Sequence, residues 1–254
     1  AACNALQARV YLATKQYDKA VAAADKVIGV PALSLTKTSI DWAKMFVYNS
    51  VSSELVFALA NKRTTSTILF YQYINDVDGS WNYSATHELY AGLYADAEYR
   101  QGDIRGKAVF GSDATRIIKF PNELEGQFVK NETPSQTPIP VLRLAEVYLI
   151  KAEAQGALSG MSTMSEFLKA RYSSASLPAS MTDVDFQNLV LDERRRELYC
   201  EGFRWYDLKR TGRLDLFKTL NGRTHLMYWP IPQTEIDLAG ADNYPQNPGY
   251  GTTN

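Results

Sequence analysis

Two amphipathic segments near the start of the chain constrain its fold most. Residues 4–13 carry apolar side chains at three- and four-residue steps, and residues 17–28 continue this pattern after a short polar break. The second segment is rich in alanine and stops at Gly29, two residues before Pro31, an arrangement typical of a helix end. Because small side chains let two backbones approach closely, we expect a helical hairpin that packs against a further helix.

The first helix of this hairpin offers an apolar face at the same three- and four-residue steps. We assign to that face the residues Cys3, Leu6, Val10 and Ala13. With Ala8 and Tyr11 added, the hairpin resembles a tetratricopeptide-type unit, which buries its apolar face only when it packs beside a neighbour.

The rest of the chain reads as further helices joined by loops and short strands. Periodic apolar positions predict helices at 139–158, 164–172 and 183–201, and a helix from about residue 87 capped by Ser84 or Thr86. Short apolar runs predict strands at 54–60 and 116–120. We expect residues 31–53 to form a loop anchored by aromatic side chains, and 225–254 to form an extended tail. Three tryptophans are expected in the core: Trp42, Trp205 and Trp229.

Composition excludes several classes of function. The 254 residues include 27 Lys and Arg against 28 Asp and Glu, so no long-range field favours nucleic acid or anionic lipid. No apolar run reaches the length of about 18 residues that a membrane-spanning helix needs. Two cysteines and two histidines give no disulfide framework, structural zinc site or zinc-protease helix. We therefore expect no cofactor and no metal.

Aromatic residues concentrate between positions 70 and 99, where eight of thirty residues are Phe, Trp or Tyr. Four of them flank the turn-forming stretch 75–80, which should lie at the surface. Aromatic rings can cover the apolar face of a sugar while amides and carboxylates bind its hydroxyl groups. The predicted glycan-binding residues are Trp81, Tyr83, Tyr73, Asn82, Asp78 and Tyr71. In the alternative interpretation, Trp81 folds back onto the body and anchors the loop.

Charged residues are dense between 192 and 218, with eight basic and six acidic side chains closely interleaved. Three glutamates recur every four residues on one helix face: Glu193, Glu197 and Glu201. Like charges at this spacing repel unless a cation joins them, and Arg204, with Asp207 on its other side, is the candidate. We expect a structural ion-pair network. A catalytic carboxylate pair, with two acids roughly 5 to 9.5 Å apart across a glycosidic bond, is the less favoured alternative.

Three segments carry a resemblance to a known family. They are residues 141–154 (VLRLAEVYLIKAEA), residues 193–210 with ERRREL and EGFRWYDLKR, and residues 229–250 with WPIPQTEI and QNPGY. In this order and spacing they resemble the C-terminal part of the SusD/RagB family of outer-membrane glycan-binding lipoproteins. Asp103-Ile104-Arg105 and the N-terminal hairpin lie where that family would place them.

The resemblance implies a mainly α fold of tetratricopeptide-like hairpins, with irregular loops and a few short strands. It also implies a non-catalytic protein on the outer membrane that captures oligosaccharides for nutrient uptake and passes them to a SusC-like TonB-dependent transporter. The aromatic segment lies where the family's glycan-binding loops lie. Family members are about twice as long and begin with an acylated cysteine, so we expect the lipid anchor to lie outside this sequence.

The resemblance covers nearly all of the chain and suggests a single SusD-like domain over residues 1–254, either the C-terminal part of a longer protein or a short relative. Within it we distinguish a hairpin at 1–30, a ligand-binding region at 54–120, and a helical body with its tail at 139–254. The competing function is a helical-repeat scaffold that binds a protein through its hairpin grooves, without glycan binding.

Overall fold

The computed structural model describes residues 1–47, 50–60, 85–110, 117–120, 138–217 and 220–251. These residues form helices and a few short strands, which confirms the predicted mainly α fold class. The helices are α1 (Ala2–Ala13), α2 (Tyr17–Ile28), α3 (Ser39–Ala43), α4 (His87–Tyr94), α5 (Gly106–Val109), α6 (Leu144–Arg171), α7 (Asp183–Glu197), α8 (Arg204–Thr211) and α9 (Gln233–Ala239). The strands are β1 (Leu55–Leu59), β2 (Arg100–Asp103), β3 (Ile139–Arg143) and β4 (Tyr172–Ala175).

The predicted N-terminal hairpin is confirmed as α1 and α2, which pack on each other and on α6. The buried side chains of α2 are small: Ala20, Ala23, Ala24 and Val27. They let α6 approach closely, and Ala145, Leu149 and Ala152 of α6 are fully buried in the same core. The alanine run of α2 therefore places α6, the longest helix, at the centre of this core.

The prediction of which face of α1 is buried is wrong. Cys3, Leu6, Val10 and Ala13 are all exposed, and the chain buries Ala5, Ala8 and Leu12 instead. Both sets follow helical spacing, so periodicity alone does not distinguish them. The buried set is the one whose small side chains allow α1 to lie close to α2 and α6.

The predicted helix at 139–158 begins five residues later than expected. Residues Ile139–Arg143 form strand β3, which pairs antiparallel with β1 so that Leu59 faces Ile139 and Leu55 faces Arg143. The helix starts at Leu144, whose backbone N–H donates to the carbonyl of Glu54 at 2.8 Å. Tertiary pairing with β1, which the local pattern does not contain, decides this boundary.

The helix also runs further than expected and absorbs the predicted helix at 164–172. It extends to Arg171 but is interrupted at Gly156, where φ is 67° and ψ is −177°. The next helix, α7, begins at Asp183 as predicted, with Thr182 accepting a hydrogen bond from the backbone N–H of Asp185 at 3.1 Å. It ends at Glu197, four residues before the predicted end.

The strand predicted at 116–120 is wrong for its described residues, 117–120. Ile117 forms an isolated bridge with Phe110, and the chain then turns at Lys119 and Phe120. This turn accompanies the burial of the Lys119 amino group, which donates to the carbonyl of Tyr199 at 2.8 Å and lies 4.9 Å from the centre of the Phe46 ring. A buried lysine satisfied by carbonyl groups thus replaces the expected ladder.

The chain divides into two compact units, Ala1–Tyr199 (the first unit) and Cys200–Asn254 (the second unit). The hydrophobic core described above lies wholly in the first unit, between Ala5 and Val190. The assignment of 1–254 to a single domain stays a prediction. Within the residues described, none of the helices is both long and apolar enough to cross a membrane.

The second unit corrects two expectations. The tail predicted to be extended contains a 3₁₀ turn, Thr224–Met227, and helix α9. Of the three tryptophans expected in the core, Trp42 is fully buried and Trp205 is partly buried against Phe217, but Trp229 is 89% exposed. Two prolines beside Trp229 hold this stretch extended, so that its indole is not drawn into a helix face.

Candidate functional site

The predicted glycan-binding residues lie outside the described residues. All six fall within the interval 61–84: Tyr71, Tyr73, Asp78, Trp81, Asn82 and Tyr83. Their assignment as a site therefore stays a prediction, as does the alternative in which Trp81 anchors the loop.

The described residues that adjoin this interval are held by regular structure. On one side, β1 pairs with β3 up to Leu59. On the other, Ala85 is buried and Thr86 caps α4 by accepting a hydrogen bond from the backbone N–H of Leu89 at 3.1 Å. The predicted cap is thus confirmed for Thr86.

Helix α4 is fixed to the rest of the first unit through its tyrosines. The hydroxyl of Tyr94 donates to the carbonyl of Arg196 at 2.8 Å, and the rings of Tyr90 and Tyr94 both contact Phe110 edge-on. Leu93 and Tyr94 are buried. The helix that follows the interval 61–84 in sequence is therefore anchored by both packing and a hydrogen bond.

The glutamate face of α7 forms the centre of a buried charge network. The carboxylate of Glu197 accepts hydrogen bonds from Arg143 at 2.6 Å, Arg171 at 2.8 Å, Trp42 at 3.0 Å and Arg105 at 3.1 Å. Every one of these five side chains is at least 98% buried. One carboxylate thus joins α7 to α3, α6, the start of α5 and the end of β3.

Glu193 extends the network one turn earlier on α7. It accepts hydrogen bonds from the Tyr172 hydroxyl at 2.6 Å, from Arg105 at 2.9 Å and from Arg196 at 2.9 Å. Arg105 is also paired with Asp103 at 2.7 Å. The network therefore ties β2 and β4 to α7.

Glu54, immediately before β1, adds the last acid of this network. It pairs with Arg171 at 2.7 Å and accepts hydrogen bonds from both the backbone N–H and the hydroxyl of Thr36. Arg171 in turn donates to the carbonyl of Thr36 at 2.9 Å. The loop before α3 and the strand that leads toward the predicted site are thereby held to the end of α6.

Electrostatics keeps Glu197 and Arg105 charged although both are buried. Burial raises the pKa of Glu197, but the charges of Arg171, Arg143 and Arg105 outweigh burial and hold that pKa well below its ordinary value of 4.5. Burial likewise lowers the pKa of Arg105, whereas Asp103 and Glu193 raise it to well above its ordinary value. Glu197 and Arg105 therefore form a charged pair inside the buried network.

This geometry confirms the structural interpretation of Glu193 and Glu197. Both oxygen atoms of each carboxylate accept hydrogen bonds from protein groups and are buried away from solvent. Neither carboxylate can therefore reach a sugar, either to donate a proton to it or to attack it. The cations that contact them are arginines from several elements: Arg105, Arg143, Arg171 and Arg196. The candidate cation Arg204 lies in the second unit, and the Asp207 carboxylate there pairs with Arg210 at 2.7 Å.

A concave surface lies where α6 is interrupted at Gly156. This pocket has a volume of about 580 Å³, which is within the range of small-molecule sites. Its wall includes the ring of Tyr17 and the exposed side chains of Leu158 and Val184, and its polar lining includes Glu153, Gln155, Asp183 and Gln187. Asp183 accepts a hydrogen bond from the backbone N–H of Ala157 at 3.2 Å, the first residue after the break. Sequence reasoning missed this pocket, and an isolated glycine inside a helical pattern was its only signal.

Ligands for a metal are not gathered anywhere in the described part of the chain, where no three His, Cys, Asp or Glu side chains converge.

Comparison with known proteins gives one consistent family. The SusD family model matches residues 54–227. The starch-binding protein SusD of Bacteroides thetaiotaomicron is 34% identical over 173 residues, which cover 62% of this chain and 30% of that protein.

Solved structures of SusD-like proteins have the same fold as this chain. A SusD superfamily protein from Bacteroides thetaiotaomicron superposes with a TM-score of 0.67 at 25% identity, over 96% of this chain and 59% of that one. A laminarin binding SusD-like protein has the same fold, with a TM-score of 0.65 at 22% identity, over 97% of this chain and 62% of that one. The chain thus spans less than two thirds of the length of each of these three proteins.

Proposed function

The chain belongs to the SusD family, and from this premise we propose that it binds oligosaccharides at the outer cell surface without cleaving them. The match to the family over residues 54–227 carries the proposal, because this interval contains the whole aromatic segment. The starch-binding relative and the laminarin-binding structure support a glycan as the class of ligand. The protein would act at the outer membrane and hand its glycan to a SusC-like TonB-dependent transporter.

We propose that the ligand is held by the aromatic segment. The rings of Trp81, Tyr83, Tyr73 and Tyr71 would cover the apolar faces of sugar rings, and Asn82 and Asp78 would bind hydroxyl groups. The fixed positions of β1 and α4 on either side support this assignment, since preorganised ends lower the entropy lost on binding.

The state of the buried acids supports binding without catalysis. A glycosidase needs two accessible carboxyl groups, one of them with a raised pKa. Glu193 and Glu197 are sealed behind arginines, and the pKa of Glu197 is lowered. Incubation of the purified protein with each glycan should therefore release no reducing ends, and sustained release would contradict the proposal.

Calorimetry tests the binding site directly. The chain is titrated with soluble α-glucan and β-glucan oligosaccharides, and Trp81→Ala is compared with the native protein. We expect at least one glycan to bind, and Trp81→Ala to weaken it about tenfold or more, which corresponds to about 1.4 kcal/mol. Unchanged affinity in this variant would remove Trp81 from the site.

Tyr17→Ala is the matched control, because it deletes an exposed aromatic ring in the pocket at Gly156. Its affinity should equal that of the native protein. If Tyr17→Ala abolishes binding while Trp81→Ala does not, the glycan site lies in that pocket and not in the aromatic segment.

The scaffold function has one observation in its favour, the exposed apolar stripe of α1 that includes Leu6 and Val10. A protein partner bound there should be lost in Leu6→Glu and retained when residues 71–83 are deleted. Such a result, together with no binding of any glycan, would favour the scaffold.

A further inference from the structure

Trp229 in the second unit presents an indole to solvent. The side chain is 89% exposed, and the ring of the preceding Tyr228 is about half exposed. Tryptophan is highly buried on average in folded proteins, so a ring this exposed calls for an explanation.

The backbone that carries this indole is rigid. The carbonyl of Tyr228 accepts a hydrogen bond from the Tyr250 hydroxyl at 2.6 Å, and the carbonyl of Trp229 accepts one from the Asn247 carboxamide at 2.7 Å. Gln246 binds both the N–H and the carbonyl of Ile231, at 2.8 and 2.9 Å. Residues 228–231 are therefore held in place by side chains from 246–250, and we call this fixed segment the ledge.

Two prolines add to this rigidity. Pro230 and Pro232 flank Ile231 and fix the backbone φ angle on both sides of it. Tyr228 is held as well, since the Lys209 ammonium lies 4.4 Å from the centre of its ring. An indole on such a ledge loses little conformational entropy when it binds a ligand, which matters most for ligands that make few contacts.

The groups that hold the ledge are polar and suit a sugar. They are two carboxamides, a phenol and an ammonium group: Gln246, Asn247, Tyr250 and Lys209. The carboxamide oxygen of Asn247 accepts no hydrogen bond from the described residues, so it is available to a hydroxyl group. A protein-binding hot spot has instead an apolar centre that excludes water.

We propose that Trp229 is a second sugar-stacking site of this protein, in which the indole covers a pyranose face and Asn247 binds a hydroxyl group at its edge. The inference rests on the proposed glycan binding and adds a contact surface that lies 148 residues beyond Trp81 in sequence.

Calorimetric titration of the full chain with α-glucan and β-glucan heptasaccharides tests this proposal. Four variants are compared with the native protein: Trp229→Ala, Trp229→Phe, Leu238→Ala and Trp81→Ala. We expect the native chain to bind two ligand molecules with different affinities. In Trp229→Ala the affinity of the weaker site should fall about tenfold or more. Trp229→Phe should retain part of it. Leu238 is 85% exposed and lacks a ring, so Leu238→Ala should behave like the native protein.

The outcomes separate this inference from the proposed function. If Trp229→Ala matches the native isotherm while Trp81→Ala weakens binding, the second site is refuted and the proposed function stands. If Trp81→Ala leaves a binding event that Trp229→Ala abolishes, the second site is established independently. If no glycan binds the native chain, both fail. Unchanged glycan binding in Trp229→Ala with loss of a bound membrane protein would show that the indole is a protein contact.

Discussion

Glu197 shows how a single residue organises the first unit. Its charge is removed from water, which is costly, and three arginines and one indole N–H compensate by occupying both carboxylate oxygens. The helical spacing of Glu193 and Glu197 made their shared face predictable. The cations that come from other elements were not predictable, since Arg105, for example, lies 92 residues from Glu197 and no local pattern links the two.

Replacement of this carboxylate should destabilise the protein strongly. Glu197→Gln preserves shape but leaves Arg105, Arg143 and Arg171 without their shared anion, and breaking a buried pair costs about 3–5 kcal/mol. Urea denaturation followed by circular dichroism gives the free energy of unfolding. In the control Lys44→Ala, which breaks the exposed pair with Asp41, the loss should stay below about 1 kcal/mol. Equal effects of the two changes would contradict a special role for Glu197.

The pH dependence of stability follows from the same residue. The folded state lowers the pKa of Glu197, so the unfolded state takes up a proton first as the pH falls below about 4.5. The stabilisation from this group is therefore complete above pH 4.5 and declines as the pH falls toward the lowered folded pKa. Urea denaturation is repeated between pH 7 and pH 3 for the native protein and Glu197→Gln. The difference between their free energies of unfolding should stay constant at first and then decrease as the pH falls. A difference that increases as the pH falls would contradict a lowered pKa of Glu197 in the folded state.

Among the elements, local pattern predicted those whose neighbours are close in sequence. The hairpin α1–α2, the cap at Thr86 and strand β1 follow from spacing and capping residues. The start of α6 did not, because β3 forms only by pairing with β1, more than 80 residues earlier. Exposure of Trp229 was missed for a similar reason, since its rigid ledge depends on side chains from residues 246–250.

The break in α6 depends on one glycine. Gly156 adopts φ 67° and ψ −177°, a region that only glycine occupies readily, although an added methyl group would have space beside Asp183. Gly156→Ala should therefore cost on the order of 1–3 kcal/mol of unfolding free energy through backbone strain alone. The variant can be measured by urea denaturation at pH 7.

Gly92 provides the matched control for this change. It lies inside α4 and is exposed with open space around it, so Gly92→Ala should raise stability by about 0.5–1 kcal/mol. Opposite signs at the two glycines are the expected result. A neutral Gly156→Ala would mean that the break is not strained for other residues.

At the scale of the whole molecule, the two units differ in what holds them together. The first unit contains both the hydrophobic core and the buried ion network, whose residues run from Thr36 to Glu197. The second unit is built from short helices, turns and side-chain bonds to the backbone such as those of Gln246 and Asn247. This difference predicts that the first unit can fold on its own.

A chain ending at Tyr199 should unfold cooperatively and keep Trp42 in an apolar environment, because every contact of its indole N–H and of Glu197 named above lies within residues 1–199. Near-ultraviolet circular dichroism and urea denaturation check this expectation. The control chain ends at Met181 and lacks α7, so three buried arginines, Arg105, Arg143 and Arg171, lose their contacts with Glu193 and Glu197. The core also loses Phe186, Leu189 and Val190. This shorter chain should not fold. If both chains give broad, non-cooperative transitions, the second unit is required for folding of the first.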